Sequence, residues 1–382
     1  MDFNFTKEQR HIKKAARKFA EGEIKDVAKE FDQKEEFPME LWKKACALGF
    51  VGVYLKKENG GPGLGLLEAC LITEEFWRID PGCGCLLLTP FGAELIQDHG
   101  TAAQKQKYLP PICKGEAIMA SAITEPNAGS DIFAIKTTAV KEGDEYVING
   151  SKIFITNGTI AHYMLVYCLS DSGTDNRKNR FSIFIVETDR PGFEATKIKG
   201  KLGIRASDTA ELCFRNVRIP KENLLGEKEG EGFPQIMELF NANRLIAAAQ
   251  GVGVAQGALD QAITYVKQRK TFGQYIGKNQ AVQFKLAEMA TRVEAARILT
   301  YQAASLFDGG KRDPKLIAMA KWYAGETGVR VTDDSLQLHG GYGYINECDI
   351  ERFYRDAKIV EIYEATKEME KATIAKLLLG KF

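Results

Sequence analysis

An excess charge of either sign is missing from this chain. Its 382 residues carry 52 Lys and Arg against 51 Asp and Glu, a formal net charge of +1. So even a balance gives no global attraction to nucleic acid or to an anionic membrane surface. No run approaches the roughly 18 apolar residues of a membrane span. The N-terminal MDFNFTKEQRHIKKAARKFAEGEIK is charged throughout and has no apolar secretory core. Acidic residues interrupt its basic face, so it reads as a solvated helix and not as a surface anchor.

Metal and nucleotide signatures are also scarce. The four histidines lie far apart, and of the eight cysteines (46, 70, 83, 85, 113, 168, 213, 348) only Cys83 and Cys85 are close. Without paired clusters of the CxxC type, a metal centre is not expected. Buried, reduced thiols in a cytoplasmic protein are the expectation. NGGPGLG lacks the Gly-Lys-Ser/Thr ending of a P-loop. GVGVAQG (251–257) sits inside a helical pattern with no strand before it and without the full GxGxxG spacing. Its small residues predict close helix packing.

What is present is ordinary in amount and ordered in arrangement. Hydrophobic residues make up 45% and charged residues 27%, as in a globular protein, and the length suggests two or three packed units. Apolar residues recur at helical spacing through 7–30, 39–49, 66–78 and 91–109. From about 121 strands dominate. EYVINGSKIFITNG reads as two β-runs joined in a hairpin at Asn149-Gly150, followed by YMLVYCLS, FSIFIVET and ELCFRNVRIP, with SDSGTDNRKN as an exposed loop. After about 230, long helical segments return, enough for a four-helix bundle. The expected fold is α+β: an N-terminal helical domain (1–120), a middle β-barrel or sandwich domain (121–230) and a C-terminal helical bundle (231–382). It is not the alternating pattern of a doubly wound sheet.

Five separated pieces carry the chemistry: AITEPNAGSD (122–131), GSKIFITNG (150–158), RKTFGQYIGKNQ (269–280), LQLHGGYGY (336–344) and IYEAT (362–366). Each alone has a plain reading as a turn, a helix end or a cap. Together and in this order, over essentially the whole chain, they resemble the acyl-CoA dehydrogenase family of FAD-dependent flavoproteins.

That resemblance implies an extended FAD between the β domain and the bundle. Ser121, Ile123, Thr124, Gly129 and Ser130 match its flavin loop, and Phe154, Ile155 and Thr156 flank the ring, with Phe154 where many members carry Trp. Arg269, Thr271 and Phe272 match a segment that reaches FAD phosphates from a neighbouring subunit. Gln280, Gln337, Gly340, Gly341, Thr366 and Glu368 match further cofactor contacts. A forked guanidinium, hydroxyls and close-approach glycines suit a pyrophosphate. Ser130, Asn241, Arg244 and Ala365 match substrate positions, although Asn241 replaces a common aspartate and Ala365 the usual glycine.

The segment EIYEATKEME (361–370) looks helical and holds four glutamates that a helical wheel does not separate. By resemblance Glu364 is the catalytic base, whereas Glu361, Glu368 and Glu370 read as solvated or ion-paired. A family subset places its base on another helix, and Asn243 at that position is no carboxylate. The implied reaction removes an α-proton and a β-hydride from an acyl-CoA thioester. Electrons pass to an electron-transferring flavoprotein, and the assembly is a homotetramer. The segment DPGCGCLLLTPFG (80–92) matches part of the acyl pocket. It has no arginine for a distal carboxylate, so a short, branched or alicyclic acyl group is expected, with Cys83 and Cys85 as pocket or packing residues. An oxygen-using acyl-CoA oxidase and a non-catalytic acyl-CoA-binding member are the alternative readings.

Overall fold

The computed structural model describes residues 5–170 and 176–380. Several of its helices begin where a side chain satisfies the free N–H groups, at Thr6, Asp80, Thr101, Asp313 and Thr366. Thr6 accepts from the Gln9 amide and the Gln9 side chain returns the bond, which starts α1 (Lys7–Phe19). Next come α2 (Ala28–Lys34), α3 (Met39–Ala47), α4 (Leu66–Ile79) and the single turn α5 (Pro81–Gly84). The helical period over 91–109 is divided into α6 (Ala93–His99) and α7 (Ala102–Cys113). Gly100 is extended and Thr101 caps the second helix, so a continuous periodicity hides a break.

The middle region is one curled sheet: β1 (Met119–Ala122), β2 (Thr138–Glu142), β3 (Glu145–Thr156), β4 (Tyr163–Ser170), β5 (Phe181–Glu187), β6 (Phe193–Lys197) and β7 (Thr209–Pro220). The order is β1-β4-β2-β3-β7-β6, with β5 antiparallel to β4 and both β1 and β2 parallel to it. The hairpin expected at Asn149-Gly150 is not there. The turn lies at 143–144, and 145–156 is a single strand whose register against β7 shifts between Ile148 and Gly150. Gly150 has φ +149° and packs on Thr137, leaving no room for a Cβ. Asn-Gly tolerates the backbone of a bulge as readily as that of a turn, and only cross-strand pairing decides between them. Of the loop SDSGTDNRKN, residues 171–175 lie outside the described residues, and Arg177–Arg180 form a 3-10 turn.

The C-terminal bundle holds α8 (Gly232–Gln268), a short hairpin of β8 (Lys270–Thr271) and β9 (Gln274–Tyr275), α9 (Gln280–Asp308), α10 (Pro314–His339), α11 (Ile350–Ala357) and α12 (Lys367–Leu379). GVGVAQG lies mid-helix in α8, where α8 meets two neighbours. A Cβ on Gly251 would stand 2.6 Å from the Ala324 carbonyl oxygen of α10, and one on Gly253 2.6 Å from that of Glu74 in α4. Such contacts set the interhelical distance. Among the described residues no helix is long and apolar enough to cross a membrane, and no three His, Cys, Asp or Glu side chains group as metal ligands.

Candidate active site

Glu364 is not on a helix. It stands in the break between the 3-10 turn Lys358–Glu361 and α12, with φ +52°, and Ala365 follows at φ +78°. Two consecutive non-glycine residues in left-handed backbone cost on the order of 1–2 kcal/mol each, so the surroundings must hold them. Three contacts do so. The buried Lys321 of α10, 1% exposed, donates through Nζ to the Ala365 carbonyl. Tyr363 donates its hydroxyl to Gln250 of α8. Thr366 caps α12, accepting from the Met369 amide at 3.4 Å. The helical look of EIYEATKEME ended at this strained turn, and the turn is what distinguishes Glu364 from its neighbours.

Although Glu364 as a whole keeps some accessible surface, its Oε2 is shielded from solvent and has no hydrogen-bond partner. Burial pushes its carboxyl up to about 7. Lys321 and Arg244 oppose that shift, and Glu94 and Glu370 reinforce it. Burial in turn lowers Lys321 to about 8, against the pull of Glu370 and Glu364. The backbone N–H of Glu364 is taken by no backbone carbonyl among the described residues. A strained, desolvated carboxyl near neutrality with a free oxygen and a free N–H has the properties of a general base.

The other three glutamates divide differently. Glu361 is buried and paired with Lys358 and, at 3.0 Å, with Lys367. Glu368 is exposed in the first turn of α12. Glu370 is fully buried, and Arg244 Nε lies 2.9 Å from its Oε1, a charge contact outside hydrogen-bonding angles. Arg244, expected beside CoA, is thus turned inward, because a carboxylate this deep demands a counter-charge. Asn241 is half-buried one turn before it.

The loop expected to meet the flavin follows β1 and is anchored by a buried pair that its motif does not reveal. Lys152 of β3 donates to Glu125 Oε1 at 3.0 Å, to the Ile123 carbonyl at 3.0 Å and to the Tyr167 carbonyl at 2.7 Å. Burial would raise the Glu125 carboxyl, but Lys152 and the Thr137 and Lys136 donors outweigh it and leave it lowered. Ile123 and Thr124 are half-buried, Gly129 and Ser130 are exposed, and a Cβ on Gly129 would meet nothing. The Ser121 hydroxyl points inward and donates to the Phe91 carbonyl at 2.9 Å, and Ile155 belongs to the sheet core. Neither side chain faces the loop's open side. Between them a second register shift, from Lys152 to Ile155, swings Phe154 outward at φ +60° with 65% exposure, and Thr156 is half-buried beyond it. A lysine inside the alternation of GSKIFITNG was the available sign of the buried pair.

A second cluster lies at the far end of α10. Arg269, Thr271, Gly340 and Gly341 line a cavity of about 520 Å³ together with Tyr265 and Tyr342. The Arg269 guanidinium stands over the Tyr342 ring, 5.6 Å from its centroid. A Cβ on Gly340 or Gly341 would meet nothing, so backbone is open to a ligand there. Phe272 at the hairpin tip is fully exposed with φ +47°, and Gln280 and Gln337 are exposed nearby in sequence at the start of α9 and the last turn of α10. An outward aromatic over a hydroxyl-lined loop at one end, and a guanidinium with open glycine backbone at the other, suit the ring and the pyrophosphate of a flavin dinucleotide.

The segment 80–92, expected to form part of an acyl pocket, is mostly internal. Cys83 and Cys85 are buried packing residues, and Thr89 is committed to Trp42 at 2.9 Å and to the Leu86 carbonyl at 3.0 Å. Leu87, Leu88, Pro90 and Phe91 line a small cavity with Tyr54 and Asn243.

Three family models match the chain: acyl-CoA dehydrogenase N-terminal domain over residues 6–116, middle domain over 120–217 and C-terminal domain over 230–379. The short-chain-specific acyl-CoA dehydrogenase of Clostridium acetobutylicum is 45% identical over 377 residues, 98% of this chain and 99% of that protein. The acryloyl-CoA reductase (NADH) of Anaerotignum propionicum is 44% identical, over 98% of this chain and 95% of its own. A chain solved in work on the electron-transferring flavoprotein of Acidaminococcus fermentans superimposes with a TM-score of 0.96 at 44% identity, with full coverage of both chains.

Proposed function

Since the chain belongs to the acyl-CoA dehydrogenase family, with FAD as cofactor, we propose that Glu364 is its catalytic base in the α,β-dehydrogenation of a short, branched or alicyclic acyl-CoA. The observation that carries this reading is the desolvated Glu364 carboxyl, held near neutrality on a strained turn with Oε2 unsatisfied. Its side chain takes the α-proton. Its free backbone N–H donates to the thioester carbonyl and stabilises negative charge developing there. Lys321 keeps the turn in place and its charge keeps part of the base ionised. FAD, when bound, accepts the electron pair that leaves the β-carbon as hydride.

In this reading Ile123, Thr124, Gly129, Ser130, Phe154 and Thr156 hold the ring end of FAD, and Arg269, Thr271 and Phe272, reaching from a neighbouring subunit, serve the phosphate and adenine end with Gln280, Gln337, Gly340 and Gly341, with Thr366 and Glu368 at the margin. Ser121 and Ile155 contribute backbone only. Asn241 and Ala365 border the thioester. Arg244 reaches CoA only by leaving Glu370. The domain limits proposed are 1–120, 121–230 and 231–382. A homotetramer in the cytoplasm, passing electrons to an electron-transferring flavoprotein, completes the proposal. Exposed Phe272, Phe284 and Tyr344 support a partner copy, and eight free cysteines support a reducing compartment.

The test is anaerobic addition of a panel of linear, branched, cyclic and dicarboxylic CoA thioesters to the purified flavoprotein. Wild type is expected to bleach with a short monocarboxylic thioester and Glu364→Gln to stay yellow. Equal bleaching by both rejects Glu364 as base, and preference for a dicarboxylic thioester rejects the substrate class.

A further inference from the structure

Two left-handed residues bracket the end of β3, Phe154 at φ +60° and Asn157 at φ +64°. Ile155 and Thr156 between them pair with Ala210 and Thr209 of β7. Asparagine tolerates such backbone better than most side chains do, but Asn157 does more than tolerate it. It is 1% exposed, and its Nδ2 donates to the Leu88 carbonyl at 3.0 Å and to the Met119 carbonyl at 3.3 Å. Both amide hydrogens are thereby used. Its Oδ1 is buried without a partner, which offsets much of what the two donated bonds contribute to stability. Turned over, the amide would set Oδ1 against two carbonyl oxygens, so the donors fix its orientation.

The two carbonyls belong to different elements. Leu88 closes the 3-10 turn Cys85–Leu88 within the segment expected beside the acyl group, and Met119 opens β1. Among the described residues the bond to Leu88 is the one hydrogen bond between 80–92 and 145–158. The backbone around it is fixed as well. The Ile153 N–H donates to the Thr124 carbonyl at 2.9 Å, and the Asn157 N–H to the Asp208 carbonyl at 3.0 Å. The Asp208 carboxylate in turn accepts from the Thr159 N–H at 2.9 Å and its hydroxyl at 2.7 Å. The stretch from Ile153 to Asn157 is thus tied at one end to the loop expected to meet the flavin and at the other to the expected acyl segment.

We propose that Asn157 is a positioning residue, whose bridge from the end of β3 to Leu88 sets the acyl group against the flavin ring. It touches neither substrate nor cofactor and acts through the two segments it joins. Hydride transfer needs the reacting atoms near contact, and a displacement of about 1 Å is enough to slow such a step by about 10²-fold. This rests on the dehydrogenase reading above and adds to it a residue outside the matched flavin and substrate positions.

The test is stopped-flow anaerobic bleaching of the intact flavoprotein, per bound flavin, with the panel thioester that bleaches wild type fastest. It separates the limiting rate at saturation from the half-saturating concentration. Asn157→Gly keeps the left-handed backbone and removes the bridge. It is expected to lower the limiting rate by roughly 10- to 100-fold and to move the half-saturating concentration by less than about 3-fold. Thr159→Val removes the hydroxyl bond to Asp208 and leaves the bridge. It is expected to lower the unfolding midpoint and to keep the limiting rate within about 2-fold of wild type. Equal rate losses in the two variants, an unmoved limiting rate in Asn157→Gly, or a loss confined to the half-saturating concentration overturns the inference while the dehydrogenase reading stands. A wild type that no thioester bleaches overturns both. Should Asn157→Gly not fold around FAD, Asn157→Ser, whose shorter side chain does not span to both carbonyls, decides by the same split.

Discussion

The two clusters proposed for the reaction and for the flavin phosphates solve opposite problems. Around Glu364 nearly every polar group is answered within the chain: Lys321 by the Ala365 carbonyl, Arg244 by Glu370, Tyr363 by Gln250. What remains without a hydrogen bond there is Glu364 Oε2, besides Arg244 Nε and the Glu370 oxygens, which meet through charge alone. Around Arg269 and Gly340 the reverse holds, with exposed side chains, bare glycine backbone and an outward Phe272. The proposed reacting end is pre-organised by burial, whereas the proposed holding end presents groups left open to a ligand. Strain and shifted proton affinity gather where chemistry must be prepared in advance.

The sharpest way to break this contrast is at the reacting end. Glu364→Gln is expected to slow anaerobic bleaching by on the order of 10³-fold with flavin content unchanged, since an amide cannot take the proton. Loss of flavin in parallel would mean that the two ends are not separable. Next in size is Lys321→Met, expected to slow bleaching by roughly 10- to 100-fold by loosening the turn. It carries a second signature whose sign is definite. The base works ionised, so the rate in wild type climbs with pH through about 7. The Lys321 cation lowers the proton affinity of Glu364, so its removal moves that climb to higher pH. A midpoint that stays or falls contradicts the assignment.

At the holding end, Arg269→Ala is expected to weaken FAD retention by about 10- to 30-fold, as loss of one charge-assisted contact does. Flavin release on dilution measures this, and the bleaching rate of the protein still loaded should change little. The smallest change tests neither end but the frame between them. Gly251→Ala puts a Cβ 2.6 Å from the Ala324 carbonyl oxygen and is expected to lower unfolding stability by about 1–3 kcal/mol in denaturant titration.

Much of this molecule was legible in order and period. The helical, β and helical regions follow from spacing, and GVGVAQG packs mid-helix as its small residues suggested. Two local signals misled for one reason. Asn149-Gly150 and EIYEATKEME both describe what the backbone tolerates, and the outcome was set by partners distant in sequence, β7 in one case and Lys321 in the other. The buried Lys152–Glu125 and Arg244–Glu370 pairs stayed hidden because a charged residue in a sequence looks solvated until its partner is known.

By itself, then, the sequence determined the helical, β and helical order of its segments, and its motifs singled out the glutamate proposed as base. Tertiary structure decided the backbone that glutamate adopts and the charges that surround it. Periodicity is a property of neighbours along the chain. Proton affinity and strain depend on groups brought together from several helices, so they come into being only when the chain packs.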